Sequence, residues 1–473
     1  MNKDRHAARA AVLMFPALIG VIGFLIDGQH SFLDSLFRCL TMYALNYTEA
    51  PPNALVEIAR WTAPLATTGG ILLAIFSTKD RIRNRTLSRS PNSIAIYGDA
   101  EEQNLLLAQA GRYGIRGGEK FLPAARYILA GTEDDNLAFY AQHKARLCDR
   151  PVFLKCRSMQ VRPEPGANVR IYSPEEIAAR LFWKEHCLYS EAAKHDFALS
   201  IAMIGFGELG EELLYWGLQD NLFDPNQKIT YHIFGDCSEF LHIHPGVREI
   251  SDRIVQHSES WDCSIDVLRS VQRILILSQD DTVQTLQKLL LLPNLPDIVC
   301  FSPSELHFDL FETEHRVIWY PWVSIANRIE NITEDGLIHL AKRIHLRYLH
   351  MNEGMQETEE NLEKEWQKLD SFKRYSNIGA ADYHEIRLIM LQEMGIPARY
   401  DALPAPVLEL FAALEHERWC RYHYLNNWTH GVPESGKRSD PVKRIHTDLV
   451  PLEALPASEL HKDYDNVEIA LSL

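Results

Sequence analysis

The chain has 473 residues, roughly three domains at ~150 residues each, and is too long for one compact core. Its 46% hydrophobic and 24% charged content is that of a folded globular protein and excludes wholesale disorder. With 48 Lys and Arg against 64 Asp and Glu, the net charge of −16 excludes a general nucleic-acid binder.

That charge is unevenly spread. Residues 1–90 carry ten basic and six acidic side chains, so this segment is +4 and the remainder −20. Eight cysteines, none in a C-x-x-C pair, read as buried free thiols of a reducing compartment rather than as disulfides or a zinc site.

Residues 1–90 form the first module. Ala10 to Ile26 and Trp61 to Thr78 contain no charged residue, and runs of 17 and 18 stand at the short end of the lengths that span a bilayer, about 17–25 residues. Lys3, Arg5 and Arg9 precede the first run; Lys79, Arg81, Arg83, Arg85 and Arg89 follow the second. This predicts two membrane helices with both termini cytoplasmic, in an inner (plasma) membrane. A signal peptide is the competing reading of the first run; the second run, and the lack of a small-residue cleavage site after Ile26, oppose it. Between the runs, Phe32, Leu33, Leu36, Phe37, Leu40, Met42, Tyr43 and Leu45 predict an amphipathic helix over 31–46. It serves either as a pore helix or as an interfacial helix, and no carbonyl-filter sequence follows it.

Residues 91–165 read as a first α/β unit, with strands at 93–97, 126–130 and 151–155 and helices at 102–113 and 136–146. Its first turn, Gly98-Asp99-Ala100-Glu101-Glu102, puts three carboxylates where a pyrophosphate needs bare backbone N–H groups, so no dinucleotide is expected there. The pattern restarts in a second unit, 166–329. The strand Ala198 to Ile204 runs into Gly205-Phe-Gly207-Glu-Leu-Gly210 and then a helix, the context in which G-x-G-x-x-G binds phosphate. A strand at 228–234 ends at Gly235-Asp236, where a carboxylate can hold ribose hydroxyls. Gly205, Gly207, Gly210 and Asp236 are therefore the candidate cofactor residues, for a nucleotide or dinucleotide such as NAD, ATP or ADP-ribose; the competing reading gives the glycines a packing role alone.

Two resemblances follow. Ala130 to Arg146, and Gly205 to Gly210 with Asp236, resemble the Trk/RCK (TrkA-N type) Rossmann-like nucleotide-binding domains. Tandem units of that kind behind two membrane helices are similar to ligand-gated channels and transport regulators of the class. After a helical connector at 330–402, whose charged stretch Glu357 to Lys368 reads as a solvated face, Pro404-Ala405-Pro406 marks a boundary. In the last module, 403–473, His416 and Glu417 fail the H-E-x-x-H spacing because Cys420 stands at the second His position, and no metal is expected. His416-Glu417-x-Trp419, Asn427-Trp428-Thr-His-Gly431, Lys437-Arg438 and His446-x-x-Leu449-Val450-Pro451 are similar to the RyR repeat domain, which also occurs as single copies in prokaryotic membrane proteins. The resemblance implies a small, mainly α domain with His416, Arg418, Trp419, Trp428, Gly431, Lys437, Arg438 and His446 facing a nucleotide-derived ligand. Indole faces would stack a base and the cations would hold phosphate; a protein-docking face is the alternative.

The sequence thus predicts two transmembrane α-helices, two α/β Rossmann-like units and a C-terminal RyR-type domain. The expected function is a membrane-anchored nucleotide sensor, a ligand-gated channel or pore-forming effector, with a non-channel scaffold as the alternative. An NAD(P)-dependent enzyme is set aside because no nucleophile–base or paired-carboxylate constellation stands out, so no catalytic residue is assigned and the chain reads as a non-enzyme. Expected partners are a nucleotide-derived small molecule, membrane lipid and further copies of the chain, since two helices cannot line a pore alone.

Overall fold

A computed structural model describes residues 2–118, 120–147, 149–157, 168–277, 281–303 and 317–472, without the side chains of 2–13, 73–85 and 458. The chain divides into two units, Met1–Ser93 with Leu122–Ala124, and Ile94–Phe121 with Ala125–Leu473.

The smaller unit is a bundle of α1 (Asn2–Asp27), α2 (Phe32–Tyr43) and α3 (Ala54–Leu87). Ser31 starts α2, its hydroxyl accepting from the Asp34 N–H at 3.3 Å. Val21, Phe24, Cys39, Met42, Val56 and Ala59 form the bundle core, and Asn53 ties α3 to α1 by donating to the Gly23 carbonyl at 2.7 Å. Leu18, Ile22, Phe37, Leu40, Trp61 and Leu65 remain exposed.

Among the described residues, no helix is long and apolar enough to cross a membrane. This overturns the two predicted membrane spans and the inner-membrane location built on them. An uncharged run is not an apolar one: the second run carries Pro64, Gly69, Gly70 and several threonines. Thr62, Thr67 and Thr68 turn their hydroxyls back onto the carbonyls of Ile58, Ala63 and Pro64, at 2.7, 3.2 and 2.8 Å. The side chains of the basic flanks Lys3, Arg5, Arg9, Lys79, Arg81, Arg83 and Arg85 lie outside the described residues.

The larger unit opens with β1 (Ile94–Gly98), α4 (Ala100–Ala110), β2 (Gly114–Arg116), β3 (Arg126–Ala130), α5 (Glu133–Leu147), β4 (Val152–Lys155) and β5 (Val169–Tyr172). These strands form an all-parallel sheet in the order β2-β1-β3-β4-β5, the flavodoxin-like doubly wound order, which runs past residue 165 to Tyr172. Next come α6 (Pro174–Glu185), capped by Ser173 with Pro174 in its first turn, and α7 (Tyr189–Lys194).

A second parallel sheet is built from β6 (Ala198–Ile204), α8 (Gly207–Asp220), β7 (Lys228–Phe234), α9 (Ser238–Ile243), β8 (Arg253–Gln256), α10 (Ile265–Ser270), β9 (Arg273–Ile276), α11 (Thr282–Leu289), β10 (Asp297–Ser302) and β11 (Val317–Pro321). Its order, β11-β10-β9-β6-β7-β8, is the Rossmann order 3-2-1-4-5-6 read from the other edge. Ile201, Ala202 and Met203 of β6 are fully buried in succession, as in a parallel strand with both faces covered by helices. Two Rossmann-like α/β units are therefore present, as the sequence pattern predicts.

The short α12 (Trp322–Ala326) and α13 (Ile329–Thr333) lead to the connector helices α14 (Asp335–Glu353), α15 (Glu359–Lys368) and α16 (Ser371–Met394). The C-terminal part comprises α17 (Ala405–Leu425), a small sheet of β12 (Thr429–His430), β13 (Ser439–Asp440) and β14 (Ile445–His446), and α18 (Ala457–Ser472). Helix α8 is buried almost all round, against its own sheet and against α6, α16 and α17.

Buried charges join these helices. Arg180 of α6 meets Glu176, Glu334 and Asp382, and Lys184 reaches Asp382 at 2.9 Å. Arg387 and Arg418 share the Glu415 carboxylate, with Arg418 at 2.7 Å. Arg421 of α17, fully buried, donates to Asp252 at 2.7 Å and to the Leu218 carbonyl of α8 at 2.9 Å. Removing one member of such a pair strands the other in low dielectric. Arg421→Met is expected to destabilise the larger unit by about 3–5 kcal/mol, read from the urea midpoint. Asp252→Asn added to that variant should restore part of the loss; a cost below about 1 kcal/mol would show that the pair is not holding α17 in place.

Candidate nucleotide site

The order of the second sheet reverses between β6 and β9, and a doubly wound sheet binds its ligand at the carboxyl end of that junction. The β6–α8 turn lies there. Gly205 and Gly207 adopt φ of +87° and +62°, a region L side chains rarely enter. The turn is anchored by the Gly205 N–H donating to the Phe234 carbonyl at 2.9 Å. At Gly210 a Cβ would stand 2.8 Å from the Phe206 ring and 3.3 Å from Leu277, so this glycine lets α8 close onto the sheet. Gly207 and Glu208 are exposed, and no side chain caps the helix N-terminus, which leaves a row of outward backbone N–H groups with a positive helix end behind them.

Asp236 follows β7 at the same edge and is exposed. The Ser238 N–H, at 2.9 Å, and the Gln256 amide, at 3.3 Å, both donate to its Oδ1. These hydrogen bonds, those from Ser238 first, hold its pKa below the usual carboxylate value. The structure thus brings Gly205, Gly207, Gly210 and Asp236 to one rim.

Arg157, just past β4 of the first sheet, is the residue of this rim that sequence reasoning missed. Its guanidinium pairs with Glu211 and stands 3.8 Å from Glu208, both on the first turns of α8, and its backbone N–H donates to Glu133 at 2.8 Å. A basic residue directly after a strand's carboxyl end was the available signal. One turn further along α8, Glu212 is buried with neither carboxylate oxygen bonded. Burial, with Glu176 and Glu175 nearby, raises its pKa well above the ordinary value.

The first sheet has its own junction, between β1 and β3, and fills it with its own groups. A Cβ on Gly98 would lie 2.7 Å from the Ala130 backbone. Asn136 bridges the Gly131 and Lys155 carbonyls, both at 2.9 Å, and Glu102 pairs with Lys155 across the opening.

The RyR-type candidates divide. Trp419, Trp428 and His446 gather with His423 and Phe372 into one aromatic cluster. In it Trp419 lies 3.9 Å from His423 and 4.9 Å from His446 between ring centroids, and Trp428 stacks on Phe372 at 5.1 Å. His416 is turned inward, Nε2 bonding the Val450 carbonyl at 2.7 Å and Nδ1 lying 3.3 Å from Asp463. Burial works against its charge, but Asp463 and Cys420 outweigh it and push the pKa up to about 11. His416 is thus a cationic staple between α17 and α18. Arg418 is spent on Glu415, and Arg438 on Asp448 at 2.6 Å and Glu459 at 3.0 Å. Gly431 packs against Ile445, where a Cβ would come within 2.7 Å of the side chain, and Lys437 stands on an exposed turn. Among the described residues, no group of three or more His, Cys, Asp or Glu is arranged to hold a metal ion.

No known family model and no curated protein matches the chain. Among solved structures, shikimate dehydrogenase from Mycobacterium tuberculosis matches with a TM-score of 0.29 and 12% identity, covering 51% of this chain and 95% of that one. The expectation of a non-enzyme is not carried forward, the solved structure matched being a dehydrogenase. At this score the likeness assigns no activity; what stands is the Rossmann-like nucleotide-binding fold that the sheet order displays.

Burial holds His423 neutral, its pKa pushed down to about 3, and lowers His384 to about 4. Unfolded histidines titrate near 6.5, so the unfolded chain binds more protons below that pH. The contribution of both is complete above about pH 6.5 and is lost as pH falls toward 4 and 3, at up to about 1.4 kcal/mol per pH unit for each. His423→Phe is expected to make the decline in unfolding free energy between pH 7 and 5 shallower; an unchanged slope would remove His423 as a cause.

Proposed function

We propose that the chain is a nucleotide sensor that binds an NAD-type dinucleotide on the β6–α8 turn and passes its state to the C-terminal module. The observation that carries this is the uncapped α8 N-terminus behind Gly205 and Gly207, at the order reversal of the sheet, with Asp236 on the same rim. Backbone N–H groups there suit a pyrophosphate. A carboxylate at Asp236 accepts ribose hydroxyls and repels a 2′-phosphate, which favours NAD over NADP. Arg157 supplies the countercharge: a phosphate approaching Glu208 and Glu211 would draw the guanidinium from those carboxylates onto itself. Helix α8 links the two ends, since it begins at the phosphate turn and its Leu218 carbonyl accepts from Arg421 of α17. The RyR-type resemblance of 403–473 fits the receiving end of that link, and further copies of the chain are the expected assembly.

Isothermal titration of the full chain with NAD, NADH, NADP, ATP and ADP-ribose tests the reading. NAD or NADH should bind in preference to NADP, and Gly207→Asp should abolish binding. Asp236→Ala should narrow the preference, and Arg157→Ala should weaken binding by roughly tenfold, about 1.4 kcal/mol. Failure of every nucleotide to bind, or binding unchanged in Gly207→Asp, would overturn the assignment.

A further inference from the structure

A cavity of about 380 Å³ opens between the β4–β5 edge of the first sheet and helices α14, α15 and α16. That volume falls within the range of small-molecule sites, about 300–1,000 Å³. It belongs to a different sheet from the β6–α8 turn and shares no lining residue with it.

Its walls are of two kinds. Ile338, Leu362, Trp366 and Ile378 from the three helices, with Val169 and Ile171 from β5, provide apolar surface including one indole. Lys342 and Arg374 provide positive charge, while the Arg170 guanidinium on the same wall is paired with Glu334. Arg170 is neutralised by Glu334, itself only 9% exposed, whereas Lys342, 19% exposed, faces the mouth acid Glu363, which is 52% exposed. Lys342 pairs with Glu363, which also accepts from the Gln367 amide at 3.2 Å. Arg374 donates to the Trp366 and Gln367 carbonyls at 3.2 and 3.1 Å, and its guanidinium lies 5.9 Å from the Trp366 ring centroid. A cleft with apolar walls, an indole and a shielded ammonium at Lys342 suits a molecule that is flat and apolar at one end and anionic at the other.

We propose that this cavity binds a small organic anion, a carboxylate or phosphate monoester with a planar apolar body, the ring against Trp366 and the anion taking the place of Glu363 on Lys342. Occupancy would then bridge the first sheet to the helical connector.

The test uses the full chain with indole-3-acetate and its neutral analogue indole-3-acetamide, titrated by calorimetry. The acetate should bind roughly tenfold or more tightly than the amide. Lys342→Gln, which removes the cation paired with the exposed Glu363, should erase that difference. Ile378→Trp, which fills the cavity, should remove binding of both, with the thermal midpoint followed to show that the chain still folds. Gly207→Asp should leave acetate binding unchanged. Lack of acetate binding, equal binding of the amide, or a charge preference that survives Lys342→Gln would each overturn the proposal.

Discussion

The larger unit is held in register by charges that cannot be left alone. Arg180, Asp382, Arg387, Glu415 and Arg421 are all 2% exposed or less. Each ion costs several kcal/mol to take out of water, and only a matched partner offsets that. Because the partners lie on α6, α16, α17 and the loop before β8, none of these elements can shift without stranding a charge. Helix α8 is enclosed by three of them. The β6–α8 turn at its start is therefore set by the ionic lattice around its flank as much as by its own glycines.

The same grammar of parallel strand and helix gives two outcomes in one chain. At the junction of the first sheet, Gly98 touches the facing backbone and Glu102 meets Lys155, so the protein's own groups complete the crevice. At the second, the positions that would fill it are glycines, and the nearest acids are held back by an arginine from the first sheet. The open site is thus shaped partly by its closed neighbour, since Arg157 follows the very strand that supplies Lys155.

What the sequence reveals here is what is local. The β6 run, the three glycines and Asp236 occupy one stretch of chain, and turn chemistry with strand periodicity is enough to place them. The strands β2, β5, β8 and β11 are short or border the sheets, where alternation is too brief to read. Arg157 meets Glu211 across 54 positions, so its place after β4 marks a candidate without naming its partner. The basic cluster of α17 misleads for the same reason: whether Arg418 and Arg421 face solvent depends on Glu415 and Asp252, and the second of these lies 169 positions away. The two uncharged N-terminal runs mislead differently, because freedom from charge is not apolarity.

The spacing of the ion pairs also bears on how the chain is made. Lys184 waits for Asp382, 198 positions on, and Arg180 for Glu334, 154 positions on. Synthesis proceeds from the N-terminus at about 5–20 residues per second, so α6 emerges from the ribosome tens of seconds at most before its counterions. Over that interval Lys184 must stay hydrated and Arg180 has Glu176, one turn back on the same helix, for a counterion. The second sheet can collapse meanwhile, but the helical layer over α8 cannot be sealed until α16 and α17 have been translated. A nascent chain stalled short of Asp382 would hold the β6–α8 turn on a helix with one side still open to water.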